Sequence, residues 1–436
     1  MIGNNFITVR FKVDCCCFTM QPLVPAFFRL ARSPSNGRVV SLASSKAASF
    51  HSSSPRKFSK SPKATPKQWA DPAMRQYKFW NREESTEPGK YSYLLEISPE
   101  SLQREARILS LSGPDDTAND ALHKGTLPMG AQLLGIGETL QDFQEFRDDN
   151  PNVLFVSPSC PMARVQLPLI LAAFPSIEWV HVRSAGIDFV VSDEFSTFKN
   201  NCFVTNAKGQ FSSSLAEYTM MACSYFAKEL PRLMKNKKNK VWDNYDIEEL
   251  RGKTLGIVGY GDIGRACAKL ATVYGMRIVA LRRHPYLSRD DPWCDVVYGR
   301  DKRSLNQLMS ESDYIVCSAP STVETRGMVN ADAFQHVKEN AVFINLGRGP
   351  VVDEAALIKA LKSRRIKGAA LDVFVQEPLP PESEFWELDN VLLSPHNMDQ
   401  TSTFMHEATE FFVNENLPRF VCGEDLLNPV NIEDGY

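Results

Sequence analysis

A chain of 436 residues is too long for one ordinary hydrophobic core and points to two domains plus an extension. Its composition, 43% hydrophobic and 23% charged, is that of a soluble globular protein, and no stretch approaches the roughly 18 uninterrupted apolar residues of a spanning helix. The net charge of −3 hides an asymmetry: residues 1–66 hold ten Lys and Arg against the single Asp14. The acidic remainder is a poor partner for nucleic acid, whose non-specific binding rests on phosphate neutralisation.

The first 66 residues are rich in Ser, Arg, Lys and Pro and cannot bury enough apolar surface to offset chain entropy. Such acid-poor termini resemble organellar transit peptides. Arg56-Lys-Phe-Ser59 looks like a mitochondrial processing site, so the mitochondrion is the expected destination. Ala47-Ala-Ser-Phe50 resembles the cleavage region of some plastid leaders and keeps the plastid as an alternative, beside a plain tail with no address. Three of the ten cysteines, Cys15 to Cys17, lie here. The other seven are scattered without metal-ligand spacing and read as reduced, mostly buried thiols, so no metal site is expected.

From about residue 90 to 205 short apolar runs alternate with helical stretches, giving strands over 106–111, 152–157, 177–182 and 202–205 and a helix over 166–174. Residues 213–234 then read as one long helix, free of Pro and Gly until Pro231 and suited to bridging two domains. The basic run 235–240 reads as a solvated helix end or loop. After it come strands over 253–259, 277–281, 313–319, 341–346, 368–373 and 390–394, with a helix over 262–274 closed by Gly275. Strands alternating with helices imply an α/β fold with parallel sheets covered on both faces. The expected division is a transit or disordered segment 1–66, a substrate domain of 67–208 with 396–436, and a dinucleotide-binding domain 209–395. A last helix, 402–420, is placed to return to the first unit.

Gly259-Tyr-Gly261-Asp262-Ile263-Gly264 falls between a strand and a helix, where a dinucleotide fingerprint has a mechanism. The first glycine permits the tight turn, the second lets the backbone approach a pyrophosphate, and the third lets helix and strand pack. An NAD-binding unit carries a carboxylate about twenty residues further on for the ribose hydroxyls. Here that place reads Leu281-Arg282-Arg283-His284, and two guanidiniums suit a 2′-phosphate. NADP is therefore the expected cofactor, with NAD as the alternative. Pro320, after the third strand of this domain, and Leu346 and Gly347, after the fourth, complete the contacts expected from these loops.

In a doubly wound sheet the loops beyond the strand carboxyl ends form the site. The fourth strand leads to Arg348, the fifth to Glu377 and the sixth to His396. Hydride transfer to a 2-oxo acid needs these three chemistries. A cation holds the carboxylate and polarises the carbonyl. An imidazole, titrating at about 6.5 when unperturbed, gives the proton to the forming alkoxide, and a neighbouring carboxylate favours its charged form.

Arg183-Ser-Ala-Gly-Ile-Asp188, Thr205-Asn-Ala-Lys-Gly209 with Ala216-Glu217, the fingerprint, Asn345-Leu-Gly-Arg-Gly-Pro-Val-Val-Asp353, Asp372-Val-Phe with Glu377-Pro378, and Ser394-Pro-His396 run through over half the chain. Together they resemble the D-isomer-specific 2-hydroxyacid dehydrogenase family, with its glyoxylate/hydroxypyruvate reductases. The resemblance implies a doubly wound cofactor domain inserted into a flavodoxin-like substrate domain, and a homodimer formed through the cofactor domain. It also implies Arg348, Glu377 and His396 as the catalytic set, with His396 the acid/base. Amides around Ala185 and Gly186, with Ser184 beside them, would hold the substrate carboxylate in a nest-like turn, and Asp372 would contact the nicotinamide end. One departure stands out: small residues often follow the family's histidine, where this chain has Asn397-Met398-Asp399. The expected activity is reduction of a small 2-oxo acid with NADPH, with no nucleic acid or membrane partner. The alternatives are an NAD-linked D-2-hydroxyacid dehydrogenase and a non-catalytic NAD(P)H-sensing paralogue.

Overall fold

The computed structural model describes residues 97–123, 127–198 and 200–432, all within one compact unit, Lys63–Tyr436. The expected transit peptide and its processing sites lie outside the described residues. Two parallel sheets organise the unit. The first contains β1 (Ala106–Leu111), β2 (Ala131–Gly137), β3 (Val153–Val156), β4 (Trp179–Val182) and β5 (Phe203–Asn206), in the order β2-β1-β3-β4-β5. The second contains β6 (Thr254–Val258), β7 (Arg277–Leu281), β8 (Val296–Tyr298), β9 (Tyr314–Cys317), β10 (Val342–Asn345), β11 (Gly368–Leu371) and β12 (Val391–Leu393). Its order is β12-β11-β10-β9-β6-β7-β8.

The first order is flavodoxin-like, with the winding reversing between β1 and β3; the second is the dinucleotide-binding order, reversing between β6 and β9. Every residue of β3, β4, β6, β9, β10 and β11 is buried, as parallel strands covered on both faces require. Neighbours along a strand feed opposite layers. Val258, Ile315 and Phe343 enter one core of the second sheet, and Ile257, Val316 and Ile344 the other. After β12 the chain returns to the first sheet, where Phe412, Leu417 and Phe420 pack with Ile108, Phe155 and Trp179. The second sheet is thus inserted in the sequence of the first layer.

Four details differ from the sequence reading. The edge strand β2 has two glycines and mostly half-exposed residues, so it lacks the β-branched signature of a buried strand. The edge strand β8 has only three residues. The single bridging helix is two, Ser212–Ala227 and Leu230–Asn239, broken at Glu229, which adopts a left-handed φ of 51° ahead of Pro231. Proline tolerates only a helix's first turn, so it begins the second helix rather than ending the first. The last helix, Phe404–Phe411 and Leu417–Val421, contains a π turn over Phe412–Asn416, just before Pro418 removes a helical donor. Among the described residues no helix is long and apolar enough to cross a membrane.

Candidate active site

Three glycines shape the turn after β6 differently. Gly259 has a φ of +99°, and a Cβ there would lie 2.6 Å from the Ala319 backbone nitrogen. At Gly264 a Cβ would lie 2.6 Å from the Gly259 carbonyl oxygen and 2.9 Å from Ile257 Cγ2, so helix and strand touch. Gly261, the N-cap of the helix Asp262–Val273, has nothing within 4 Å of its built Cβ. Open space before a twelve-residue helix whose first amides have no helical partner is a cradle for a pyrophosphate, and these residues fit a dinucleotide. Ile263 packs into the adjoining core, while the Asp262 carboxylate is paired with Lys208 at 3.3 Å. Leu346 is buried, and a Cβ on Gly347 would lie 2.6 Å from the Ala319 carbonyl, so the loops after β9 and β10 meet beside Pro320.

At the end of β7 Arg282 is turned inward. Its guanidinium donates to Ser288 Oγ, and burial together with Arg265 lowers its pKa. Arg283 donates to Glu324 Oε2 at 2.7 Å, a carboxylate that Arg300 also engages. Three arginines thus gather beyond β7 and β8.

The edge that carries Arg348, Glu377 and His396 is assembled from consecutive loops. His396 Nδ1 lies 2.7 Å from Glu377 Oε2, and Glu377 Oε1 accepts the Phe374 N–H at 2.8 Å. Both carboxylate oxygens are engaged, so the imidazole is oriented through Nδ1 and its Nε2 does not contact Glu377. The hydrogen bond to Glu377 raises the His396 pKa above its ordinary value, against burial and the charge of Arg348. Burial alone would raise Glu377, but His396, the Phe374 amide and Arg348 hold it below the usual range. His396 itself sits at a φ of +51°, costly for a residue with a Cβ. Buried Asp372 holds that turn, accepting from Ser394 Oγ at 2.7 Å and from the Asn397 N–H at 3.2 Å.

Arg348 reaches across to the first sheet. Its Nε donates to Asp188 Oδ2 at 2.9 Å and its Nη1 to the Gly347 carbonyl at 2.8 Å, while Nη2 lies against Gly186, where any Cβ would collide with it. The turn beneath it is tied down through its carbonyls. Ala207 N–H donates to Ser184 O at 3.0 Å, Asn206 Nδ2 to Ala185 O at 2.7 Å, and Ser184 Oγ to Gly186 O at 2.5 Å. In a trans peptide the N–H points opposite to the preceding carbonyl, so the amides of Ala185, Gly186 and Ile187 face away from these partners, as an anion-holding turn needs.

The sequence-derived residues therefore divide into two groups. Arg348, Glu377, His396, Asp372 and the 184–186 turn share one edge, and Arg282 with Arg283 stands at the far end of β7. Asp188 and Asp399 carried no assigned role. Asp188 lies in the motif that already pointed to Gly186, but its pairing with Arg348 spans 160 positions and has no local signal. Asp399 is partly buried, which raises its carboxyl pKa, while His396 and Arg348 act on it in the opposite direction.

A sequence model described as D-isomer specific 2-hydroxyacid dehydrogenase, NAD binding domain, matches residues 220–397. The glyoxylate reductase of Korarchaeum cryptofilum is 35% identical over 276 residues, which is 61% of this chain and 79% of that protein. A D-isomer specific 2-hydroxyacid dehydrogenase of Xanthobacter autotrophicus, solved with NADPH and MES, superposes with a TM-score of 0.63 at 28% identity, covering 76% of this chain and all of that one (100%). An NADPH-dependent glyoxylate/hydroxypyruvate reductase of Sinorhizobium meliloti, solved with citrate, has a TM-score of 0.58 at 27% identity, over 76% of this chain and 98% of its own. With sequence and fold similarity extending across both sheets, this chain belongs to the D-isomer specific 2-hydroxyacid dehydrogenases, oxidoreductases that work with a nicotinamide cofactor.

Proposed function

We propose that the protein reduces a small 2-oxo acid of the glyoxylate or hydroxypyruvate kind to the D-2-hydroxy acid, with NADPH as reductant. One observation carries this reading: the His396–Glu377 pair stands on the same edge as Arg348, which bridges to the Ser184–Gly186 turn. The bound nicotinamide supplies the hydride to C2. Arg348 and the amides of Ala185 and Gly186 hold the substrate carboxylate and polarise the C2 carbonyl. His396 Nε2 gives its proton to the C2 oxygen, and Glu377 stabilises the imidazolium and keeps the ring aimed. Asp372 holds the turn that carries His396 and would contact the nicotinamide end of a bound cofactor. The cofactor domain of this reading is 209–395, and the substrate domain is 67–208 with 396–436.

NADP preference is supported by Arg282 and Arg283 where an NAD enzyme would carry a carboxylate, with Arg300 adjacent. One observation favours the NAD-linked alternative: Glu324 engages both Arg283 and Arg300 and offers a carboxylate to ribose hydroxyls. A homodimer through the cofactor domain is supported by an exposed apolar run of Met234, Val241, Ile247 and Trp242, the last fully solvent-exposed. Import into a mitochondrion, or alternatively a plastid, rests on the basic leader alone.

The test follows the absorbance of reduced cofactor with the purified protein, NADPH or NADH, and glyoxylate or hydroxypyruvate. NADPH oxidised well ahead of NADH, and abolished by His396→Ala, is the expected result. NADH preference would refute the phosphate role of the arginines. A folded protein that binds NADPH but turns over no acid would refute the catalytic reading in favour of a sensing role.

A further inference from the structure

Arg283, at the end of β7, and Arg300, just beyond β8, converge on one carboxylate. Glu324 Oε2 accepts from Arg283 Nη2 at 2.7 Å and from Arg300 Nη1. Glu324 lies on the loop after β9, and in the sheet order β9 and β7 flank β6. The carboxylate therefore reaches the arginines across the carboxyl end of β6, where the glycine-rich turn begins. Its backbone is fixed in place. Thr322 N–H donates to Thr325 Oγ1 at 2.8 Å, Thr325 Oγ1 to the Pro320 carbonyl at 2.5 Å, and Arg326 N–H to the Thr322 carbonyl at 3.0 Å. The side chains of Glu324 and Arg300 are 46% and 40% exposed, so a solute can reach the pair. Ion pairs this exposed are worth little and exchange readily for a better anion. A phosphate monoester carries close to two negative charges and three acceptor oxygens, and two converging guanidiniums hold it better than they hold one carboxylate. Arg282 is less suited to such a clamp, since its guanidinium is turned toward Ser288.

We propose that Arg283 and Arg300 form the clamp for the 2′-phosphate and that Glu324 is its built-in competitor, an anion that engages both guanidiniums and gives them up when the phosphate binds. The inference rests on the NADP reading above and deepens it: Arg300 joins the discriminating residues, and Glu324 limits the preference they create.

Calorimetric titration of the full chain with adenosine 2′,5′-bisphosphate and with adenosine 5′-phosphate reads the 2′-phosphate contribution as the ratio of two affinities. Arg300→Gln should lower that ratio about tenfold, the loss of one charge-assisted hydrogen bond. Glu324→Gln should raise it about three- to tenfold, because two exposed ion pairs no longer have to be given up on binding. Adenosine 5′-phosphate should bind all three proteins alike, which also shows that the variants are folded. Fluorescence titration with NADPH and NADH should give the same ratios. An unchanged ratio in Arg300→Gln overturns the clamp. An unchanged ratio in Glu324→Gln overturns the competition, and a lowered one does so too, because the carboxylate would then be positioning the arginines. Weaker binding of adenosine 5′-phosphate and NADH by Glu324→Gln also overturns it, because the carboxylate would then serve the ribose hydroxyls. If the wild type binds the two nucleotides equally, the NADP reading fails. A 2′-phosphate preference that then emerges in Glu324→Gln still upholds the competition, and its absence sinks both.

Discussion

A methyl group added at Gly261 meets no heavy atom within 4 Å, and the residue's φ of −96° is one that alanine adopts freely. Reduced freedom of the unfolded chain favours alanine by about 0.4–1 kcal/mol. Alanine is a poorer N-cap than glycine, which offsets most of that gain. The net stability change of Gly261→Ala should therefore stay within about 1 kcal/mol. Cofactor binding should suffer far more, because the methyl occupies the space a phosphate needs to reach the first helix amides. Losing one or two charge-assisted hydrogen bonds of about 1.5 kcal/mol each weakens NADPH binding roughly ten- to a hundredfold. Gly264→Ala is the control: its Cβ would sit 2.6 Å from a carbonyl oxygen, so it should cost about 1–3 kcal/mol of stability by overpacking. Thermal unfolding without cofactor and fluorescence titration with NADPH measure both quantities. Wild-type NADPH affinity in Gly261→Ala, or a loss of stability equal to that of Gly264→Ala, would refute the pyrophosphate assignment.

Three further outcomes follow from the same geometry. Glu377 raises the His396 pKa, and reduction needs that imidazole protonated, so Glu377→Gln should move the alkaline limb of the kcat/KM profile to lower pH; an unmoved limb would contradict the pairing. Asp188→Asn should raise KM for the 2-oxo acid several-fold with little change in kcat or stability, because the half-exposed pair positions Arg348 rather than supporting the fold; a large drop in unfolding temperature would speak against this. His181 is buried among Phe155, Trp179 and Phe412, with its pKa lowered from 6.5 to about 3. The folded state keeps it neutral while the unfolded state binds a proton below about 6.5, so stability should fall by about 2 kcal/mol from this group alone between pH 6.5 and 5. Urea unfolding of His181→Phe should lose that much less over the same interval, and parallel curves for the two proteins would exclude it.

The local features of the site are legible in the sequence alone. The fingerprint glycines, the strand before them and the helix after them are neighbours in sequence, and the need of each glycine is set by its own turn. Arg348, Glu377 and His396 could be grouped because consecutive parallel strands all present their carboxyl ends on one edge. The edge strands β2 and β8 have no clear sequence signal because half-exposed strands carry no apolar run, and the break at Glu229 has none because Pro231 reads equally well as an end or a beginning.

Chain order alone therefore determined the α/β class, the glycine-rich turn between β6 and its helix, and the set Arg348, Glu377 and His396 at consecutive strand ends, since each follows from local backbone and side-chain chemistry. Tertiary structure decided which of those residues touch. It placed Glu377 on Nδ1 of His396, joined Arg348 to Asp188 and engaged Arg283 with Glu324. These contacts join loops from different strands and different sheets, and their electrostatics depend on distance and burial, which only the packed sheets define.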